Sequence, residues 1–263
     1  MPATLADVFV YPVKSLDPHR VETATVGAGG SLALDRRYAV FDEADDYVNG
    51  KATAAVHRLR SSFDPDVPAL ELRVEGSEET HRFNLDAERG DLNGFLSDYF
   101  DEPVFVSRDG GLGYPDDTMA SGPTVVSTGT LAEVGSWFEF SPEEIRLRLR
   151  PNLVVDAEPF WEDRLYADRD SVVRFSVGEA TFEGVNPCQR CVVPSRDPHT
   201  GAETEGFRER FVQKRRETRP EWANDDWFDH DFRLMVNTRT PESTVGADLS
   251  VGDEVHIGET VER

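Results

Sequence analysis

Cysteine is scarce in this sequence, with two residues among 263. A scaffold held by disulfides needs more thiols, and an iron–sulfur cluster held only by cysteines needs about twice as many. We therefore exclude both for this chain and expect a reducing compartment. No Gly-x-Gly-x-x-Gly motif follows a predicted strand, so the usual signature of a flavin or nicotinamide site is missing as well.

Long apolar runs are also missing, since no stretch approaches the roughly 20 residues that a membrane-spanning helix requires. Residues 1–7 contain neither the basic region nor the apolar region of a secretory signal. We accordingly expect a cytoplasmic protein without a membrane span.

Lysine is nearly absent, with 3 lysines beside 25 arginines, and the formal net charge is -23. Acidic, lysine-poor surfaces suit multimolar salt, where the Debye length falls to about 3 Å or less. We interpret the charge as halophilic adaptation to a salt-rich cytosol, and an acidic surface made for a basic partner is the alternative. Nucleic acid is not predicted as a ligand, because the chain as a whole lacks a basic footprint.

The hydrophobic pattern predicts many short strands and few helices, and hence an α+β, mainly β fold built from barrels. Residues 70–74 alternate between apolar and charged side chains, as a half-buried strand does. Residues 145–150 alternate in the same way and predict another strand. Regular structure breaks at residues 108–120, so we expect two domains, at residues 1–115 and 116–263.

Three segments carry apolar residues at helical spacing. Asp91 is the predicted N-cap of the first, and Thr130 with Glu133 form the predicted capping box of the second. The third carries a basic cluster. This cluster faces an anionic ligand or an acidic electron donor, or it faces solvent and is balanced by glutamates of the same helix. The helices are expected at residues 91–100, 129–139 and 206–217, and the basic residues are Arg208, Arg210, Lys214, Arg215, Arg216 and Arg219.

The two cysteines form a Cys-x-x-Cys pair, Cys188 and Cys191. Thiolate sulfur binds soft, thiophilic metals, and it is also the reactive form of cysteine. Alone, the pair fits half of a zinc site, a redox pair or two buried core cysteines. A turn rich in Asp, Pro and Gly follows at residues 196–201, which predicts that the thiols lie at the edge of a strand and face a loop.

The surroundings of this pair resemble a known family. Asn-Pro-Cys-Gln-Arg-Cys-Val-Val-Pro at residues 186–194, followed by Asp-Pro-His-Thr-Gly at 197–201, is similar to the central motif of MOSC domains. These are the molybdenum-cofactor sulfurase C-terminal domains, and the family includes the mitochondrial amidoxime-reducing component. Three further elements resemble it in the right order, as does the ending Val-Gly-Asp. They are Tyr-Pro-Val-Lys-Ser at 11–15, Asp-Arg-Arg-Tyr at 35–38, Arg-Pro-Asn-Leu-Val-Val at 150–155 and the ending at 251–253.

The resemblance implies a MOSC β-barrel domain preceded by an N-terminal β-barrel-like domain. It implies that Cys191, not Cys188, is the metal ligand and catalytic residue. The implied contacts of the anionic molybdenum cofactor (molybdopterin) are Lys14, Ser15, Arg36, Ser121, Arg150, Asn152 and Arg190. Each also has an ordinary structural interpretation, as a strand-end charge, an ion pair, a solvent-facing side chain or a turn residue. The stretch at residues 50–53 departs from the family pattern.

The function that the resemblance implies is reduction of N-oxygenated, N-hydroxylated small molecules at molybdenum. The electrons then come from a separate donor such as a ferredoxin or a reductase. One alternative is a carrier of sulfur or of the molybdenum cofactor without turnover. Another is a pyridoxal-phosphate protein with Lys14 as the Schiff-base lysine.

Overall fold

The computed structural model describes residues 2–263. The strands are β1 (Ala3–Val10), β2 (His19–Val21), β3 (Thr23–Thr25), β4 (Tyr38–Asp42), β5 (Leu59–Asp64), β6 (Ala69–Val74), β7 (Thr80–Asn84), β8 (Val104–Arg108), β9 (Val125–Ser127), β10 (Leu153–Asp156), β11 (Ser171–Val177), β12 (Ala180–Gln189), β13 (Arg233–Arg239), β14 (Asp248–Ser250) and β15 (Glu254–Glu262). The α-helices are α1 (Arg89–Phe100), α2 (Thr128–Phe138), α3 (Pro142–Leu149) and α4 (Phe207–Thr218). Short 3-10 helices lie at Ala54–Arg58, Trp161–Leu165, Val193–Ser195, Asp225–Trp227 and Glu242–Thr244. The predicted α+β, mainly β fold is confirmed.

A closed barrel forms the larger part of the molecule. Its strands follow the order β10-β9-β13-β12-β11-β15-β1, and β1 pairs back with β10 to close the ring. The first strand of the chain therefore completes a barrel whose other strands all come from residues 125–262. The domain boundary near residue 115 stays a prediction, and β1 reaches the barrel from the N-terminal side of it.

A smaller unit is built from the remaining N-terminal elements. The strands β5, β6 and β7 form an antiparallel sheet, β4 pairs with β8, and α1 packs beside them. Leu72, Leu85 and Leu92 are fully buried in their shared core. Helix α1 begins at Arg89 after Glu88, so the predicted N-cap at Asp91 is wrong. Asp91 lies in the first turn, where a negative charge favours the helix dipole.

Helices α2, α3 and α4 pack together on the outside of the barrel. Ser127 caps α2, because its hydroxyl accepts the amide of Thr130 at 3.0 Å. The predicted capping box of Thr130 with Glu133 is therefore wrong, as both residues lie inside the helix.

The predicted strand at residues 145–150 is also wrong, because these residues belong to α3 and its C-cap. Ser141 caps the helix, Pro142 occupies its first turn, and Ile145 is buried one helical turn before Leu149. The alternation of arginine and apolar residues predicted a strand with its arginines in solvent. Arg148 is instead 2% exposed.

The basic residues of α4 are largely paired. Arg215 is fully buried and its Nη2 lies 2.5 Å from Asp163 Oδ2. Arg216 and Arg219 both bind Asp231. This arrangement favours the structural interpretation of the basic cluster. In the part of the chain that the structure describes, no helix is long and apolar enough to cross a membrane.

A buried acidic pair lies beside this arginine. Glu162 is fully buried, and its Oε2 accepts the Ser127 amide at 3.2 Å and the Thr130 hydroxyl at 3.0 Å. Burial, together with the neighbouring charge of Asp163, raises the pKa of Glu162 to about 7. Burial thus favours the protonated carboxyl.

Replacing Glu162 with Gln is expected to remove a pH dependence of stability. In the wild type, the protonated carboxyl of Glu162 stabilises the folded state. This stabilisation is fully present below the unfolded pKa of about 4.3 and is lost as the pH rises through the raised pKa of the folded state. The glutamine side chain does not titrate, so the variant should not lose stability in this way. The unfolding free energy of the wild type, relative to that of the variant, should therefore fall by on the order of 1–3 kcal/mol as the pH rises over that window. Urea unfolding across a pH series measures it, and parallel curves for the two proteins would contradict the expectation.

Candidate functional site

A cavity of about 690 Å³ is lined by residues of both parts of the chain. Its volume is in the range of small-molecule and cofactor sites. The cavity brings together six of the predicted site residues, which come from the loop after β1, the segment before β4, the end of α3 and the end of β12. They are Lys14, Ser15, Arg36, Arg150, Arg190 and Cys191.

The cavity is positively charged, although the chain is strongly acidic. Nine Lys and Arg residues line it, against three Asp and no Glu. A concave wall of one sign concentrates counter-ions of the opposite sign. The cavity is therefore suited to an anionic ligand.

The two cysteines occupy different environments. Cys188 lies in β12 and is 4% exposed, with its Sγ 2.7 Å from Asn237 Oδ1, so the thiol donates to the amide oxygen. Burial raises the pKa of Cys188 to about 12, which keeps it protonated at neutral pH. Cys191 follows the end of β12 and is partly exposed on the cavity wall. Both cysteines border the cavity, and Cys191 is the more exposed of the two thiols.

The loop after Cys191 is held from two sides. Arg148 of α3 donates from Nη1 to the carbonyls of Pro194 at 3.0 Å and Arg196 at 2.7 Å. Arg60 of β5 donates to the Pro198 carbonyl at 3.1 Å, and its Nη1 lies 2.6 Å from His199 Nδ1. Sequence reasoning missed both arginines. The sequence Ser-Pro-Glu-Glu at residues 141–144 is typical of a helix start and could have placed Arg148 on a helix. No local pattern indicates the position of Arg60.

Arg150 and Arg190 are cations without a carboxylate partner within residues 2–263. Arg150 is the C-cap of α3 with φ 59°, and its Nη2 donates to the Leu16 carbonyl at 2.7 Å. Its guanidinium lies 4.2 Å from the centroid of the Tyr11 ring. Arg190 donates to the Leu149 carbonyl at 2.9 Å, while its buried Nε has no hydrogen-bond partner among the described residues.

Lys14 and Arg36 lie beside these cations and share one carboxylate. Lys14 Nζ donates to Asp116 Oδ1 at 2.5 Å and to the carbonyls of Tyr114 and Pro115. Arg36 binds Asp35 and also reaches Asp116 Oδ2 at 3.1 Å. Three acceptors around Lys14 Nζ fit an ammonium group, and this argues against a Schiff base at Lys14.

Ser121 and Asn152 are not brought to the large cavity. They line a smaller neighbouring space, of about 40 Å³, together with Arg36. Ser121 donates to the Gly29 carbonyl at 3.1 Å. Asn152 is 1% exposed, and its amide donates to the Phe9 carbonyl at 3.0 Å. Both side chains have structural partners, and their contact with a cofactor stays a prediction.

The fold and this cavity define a β-barrel protein with a cysteine at the wall of a cationic cavity. Family models agree with that class. The model of the MOSC N-terminal beta barrel domain matches residues 2–98, and that of the MOSC domain matches residues 125–256. The chain therefore belongs to the MOSC domain proteins, which are associated with molybdenum-cofactor sulfurase-like and related proteins. No curated protein matches the chain.

The two thiols should differ in reactivity towards a maleimide. We expect the native protein to be modified at Cys191 and not at Cys188, because Cys188 is buried and protonated. At slightly alkaline pH the rates should differ by at least roughly a hundredfold. Mass spectrometry of proteolytic peptides measures both sites. Unfolded protein, in which both thiols react, is the control, and native labelling at Cys188 first would contradict the assignment.

Proposed function

We propose that this chain is a molybdenum-cofactor-dependent oxidoreductase that reduces N-oxygenated, N-hydroxylated small molecules. The electrons come from a separate redox partner, such as a ferredoxin or a reductase. One observation carries the proposal. Cys191 lies on the wall of a cationic cavity, and the motif around it resembles the one in which the family supplies its metal ligand.

The residues of the cavity fit the cofactor, which is an anionic pterin with a dithiolene and a phosphate. The buried Nε of Arg190 lacks a partner, and Arg150 has only a carbonyl, so both cations have capacity for an anion. Cys191 offers the soft sulfur that molybdenum accepts. Lys14, Ser15 and Arg36 would complete the contacts to the anionic groups.

When bound, the cofactor supplies the exchange of electrons and of an oxygen atom with the substrate. The chain contributes binding and orientation. Arg148 and Arg60 hold the loop that follows Cys191, and this loop supports the cysteine sulfur at the cavity wall. The buried Cys188 stays protonated, so Cys191 is the thiol that would bind the metal.

Cys191→Ala should lose molybdenum, and Cys188→Ala should keep most of it. The proteins are made in a host that synthesises the cofactor. Metal content is measured by elemental analysis, and reduction of an amidoxime is followed with a chemical electron donor. We expect the first variant to fall by at least roughly tenfold in both readouts, because it lacks the metal ligand.

Full molybdenum and full activity in Cys191→Ala would overturn the assignment. Wild-type protein that carries molybdenum but does not reduce an amidoxime would instead point to the carrier alternative. Cys188→Ala is the matched control, because it removes the other thiol of the same motif, which also borders the cavity but is only 4% exposed and donates to Asn237.

A further inference from the structure

The carboxylate of Asp116 lies against the cations that an anionic ligand needs. Its Oδ1 is 2.5 Å from Lys14 Nζ, and its Oδ2 is 3.1 Å from both Nε and Nη2 of Arg36. Asp116 belongs to the irregular segment between β8 and β9 and not to the barrel. A residue of the connecting segment thus occupies a place where a phosphate oxygen would bind.

The charges at this place favour replacement of the carboxylate. Lys14, Arg36 and Arg150 supply three cations, and the buried Asp35 is committed to the fold, because its Oδ1 accepts the Tyr11 amide at 2.8 Å. Asp116 cancels one unit of this positive charge. Its departure restores that unit, which favours a phosphate monoester of about −1.5 to −2 over a carboxylate of −1.

Asp116 is also the most exposed member of the cluster. Its side chain is 62% exposed, whereas the side chains of Lys14 and Arg36 are 10% and 9% exposed. The backbone on one side is tied down, because the Tyr114 amide donates to the Arg36 carbonyl at 2.8 Å. On the other side Asn237 Nδ2 donates to Asp117 Oδ2 at 3.4 Å. The exchange that we infer therefore needs only a rotation of the exposed Asp116 side chain, with the flanking residues held in place.

We infer that Asp116 is a displaceable internal anion, which holds the cations Lys14 and Arg36 until the phosphate group of a ligand takes its place. Asp116 is then a specificity-determining residue, since only a ligand with more negative charge than one carboxylate displaces it. The identity of the physiological ligand rests on the proposed function. The exchange of the Asp116 carboxylate for a phosphate group does not depend on the proposed function.

The test uses full-length protein made in a host that lacks the cofactor, with inorganic phosphate as the probe. Titration calorimetry compares the wild type with Asp116→Asn and Asp116→Ser. Asp117→Asn is the matched control, because it removes the same charge one residue away without contacting Lys14 or Arg36. All four proteins are measured at one ionic strength, since screening changes every affinity.

We expect phosphate to bind both Asp116 variants at least roughly tenfold more tightly than the wild type, or about 1.4 kcal/mol. The control should stay within about twofold of the wild type. Adding Lys14→Met to Asp116→Asn should remove the gain. Equal affinity in the wild type and both Asp116 variants, or an equal gain in Asp117→Asn, would overturn the inference.

A second readout uses protein from a host that makes the cofactor. After extended dialysis, Asp116→Asn should retain more molybdenum than the wild type, because no internal anion competes for the cations. If the chain binds no molybdenum at all, the proposed function fails while the phosphate titration still decides the role of Asp116. A phosphate effect that is missing in protein that does bind molybdenum overturns the role of Asp116 alone.

Discussion

The pairing of β1 with β10 is the contact on which the cavity depends. Leu5 faces Val155 and Val8 faces Leu153 in this antiparallel register, which closes the barrel. The side chain of Asn152 continues the contact by donating to the Phe9 carbonyl. Because β1 ends at this point, the loop that carries Lys14 emerges beside Arg150. Two segments more than 130 residues apart in the chain therefore line one wall.

Arginine suits this wall for a physical reason. A guanidinium can stack on an aromatic ring and still direct its N–H groups at carbonyls and anions. Arg150 lies on Tyr11 in this way, and Arg148 lies 4.4 Å from the centroid of the Phe140 ring. Lysine offers no planar group for such packing. A chain with three lysines can thus keep a buried cationic cavity inside a strongly acidic surface.

The sequence predicts the fold class, many of the strands and six of the residues that line the cavity. Alternation finds β6, and the motif around Cys191 identifies the more exposed of the two cysteines that line the cavity. Local patterns fail where distant segments decide the outcome. Arg148 belongs to a helix because Ser141 and Pro142 start one, and it is buried because its partners come from the loop at residues 194–204. Asp116 contacts Lys14 across about 100 residues, and no spacing rule indicates that.

The different environments of the two cysteines follow from their positions relative to β12. Side chains alternate across a strand, and Cys188 falls on the buried face of β12, where its thiol is satisfied by Asn237. For Cys188 to bind a metal, the core would have to release a thiol that burial keeps protonated. Cys191 lies beyond the last residue of the strand, so no ladder hydrogen bond constrains the direction of its side chain. A Cys-x-x-Cys spacing that crosses the end of a strand therefore places one thiol within the strand, hydrogen-bonded and buried, and the other beyond it, partly exposed on the cavity wall.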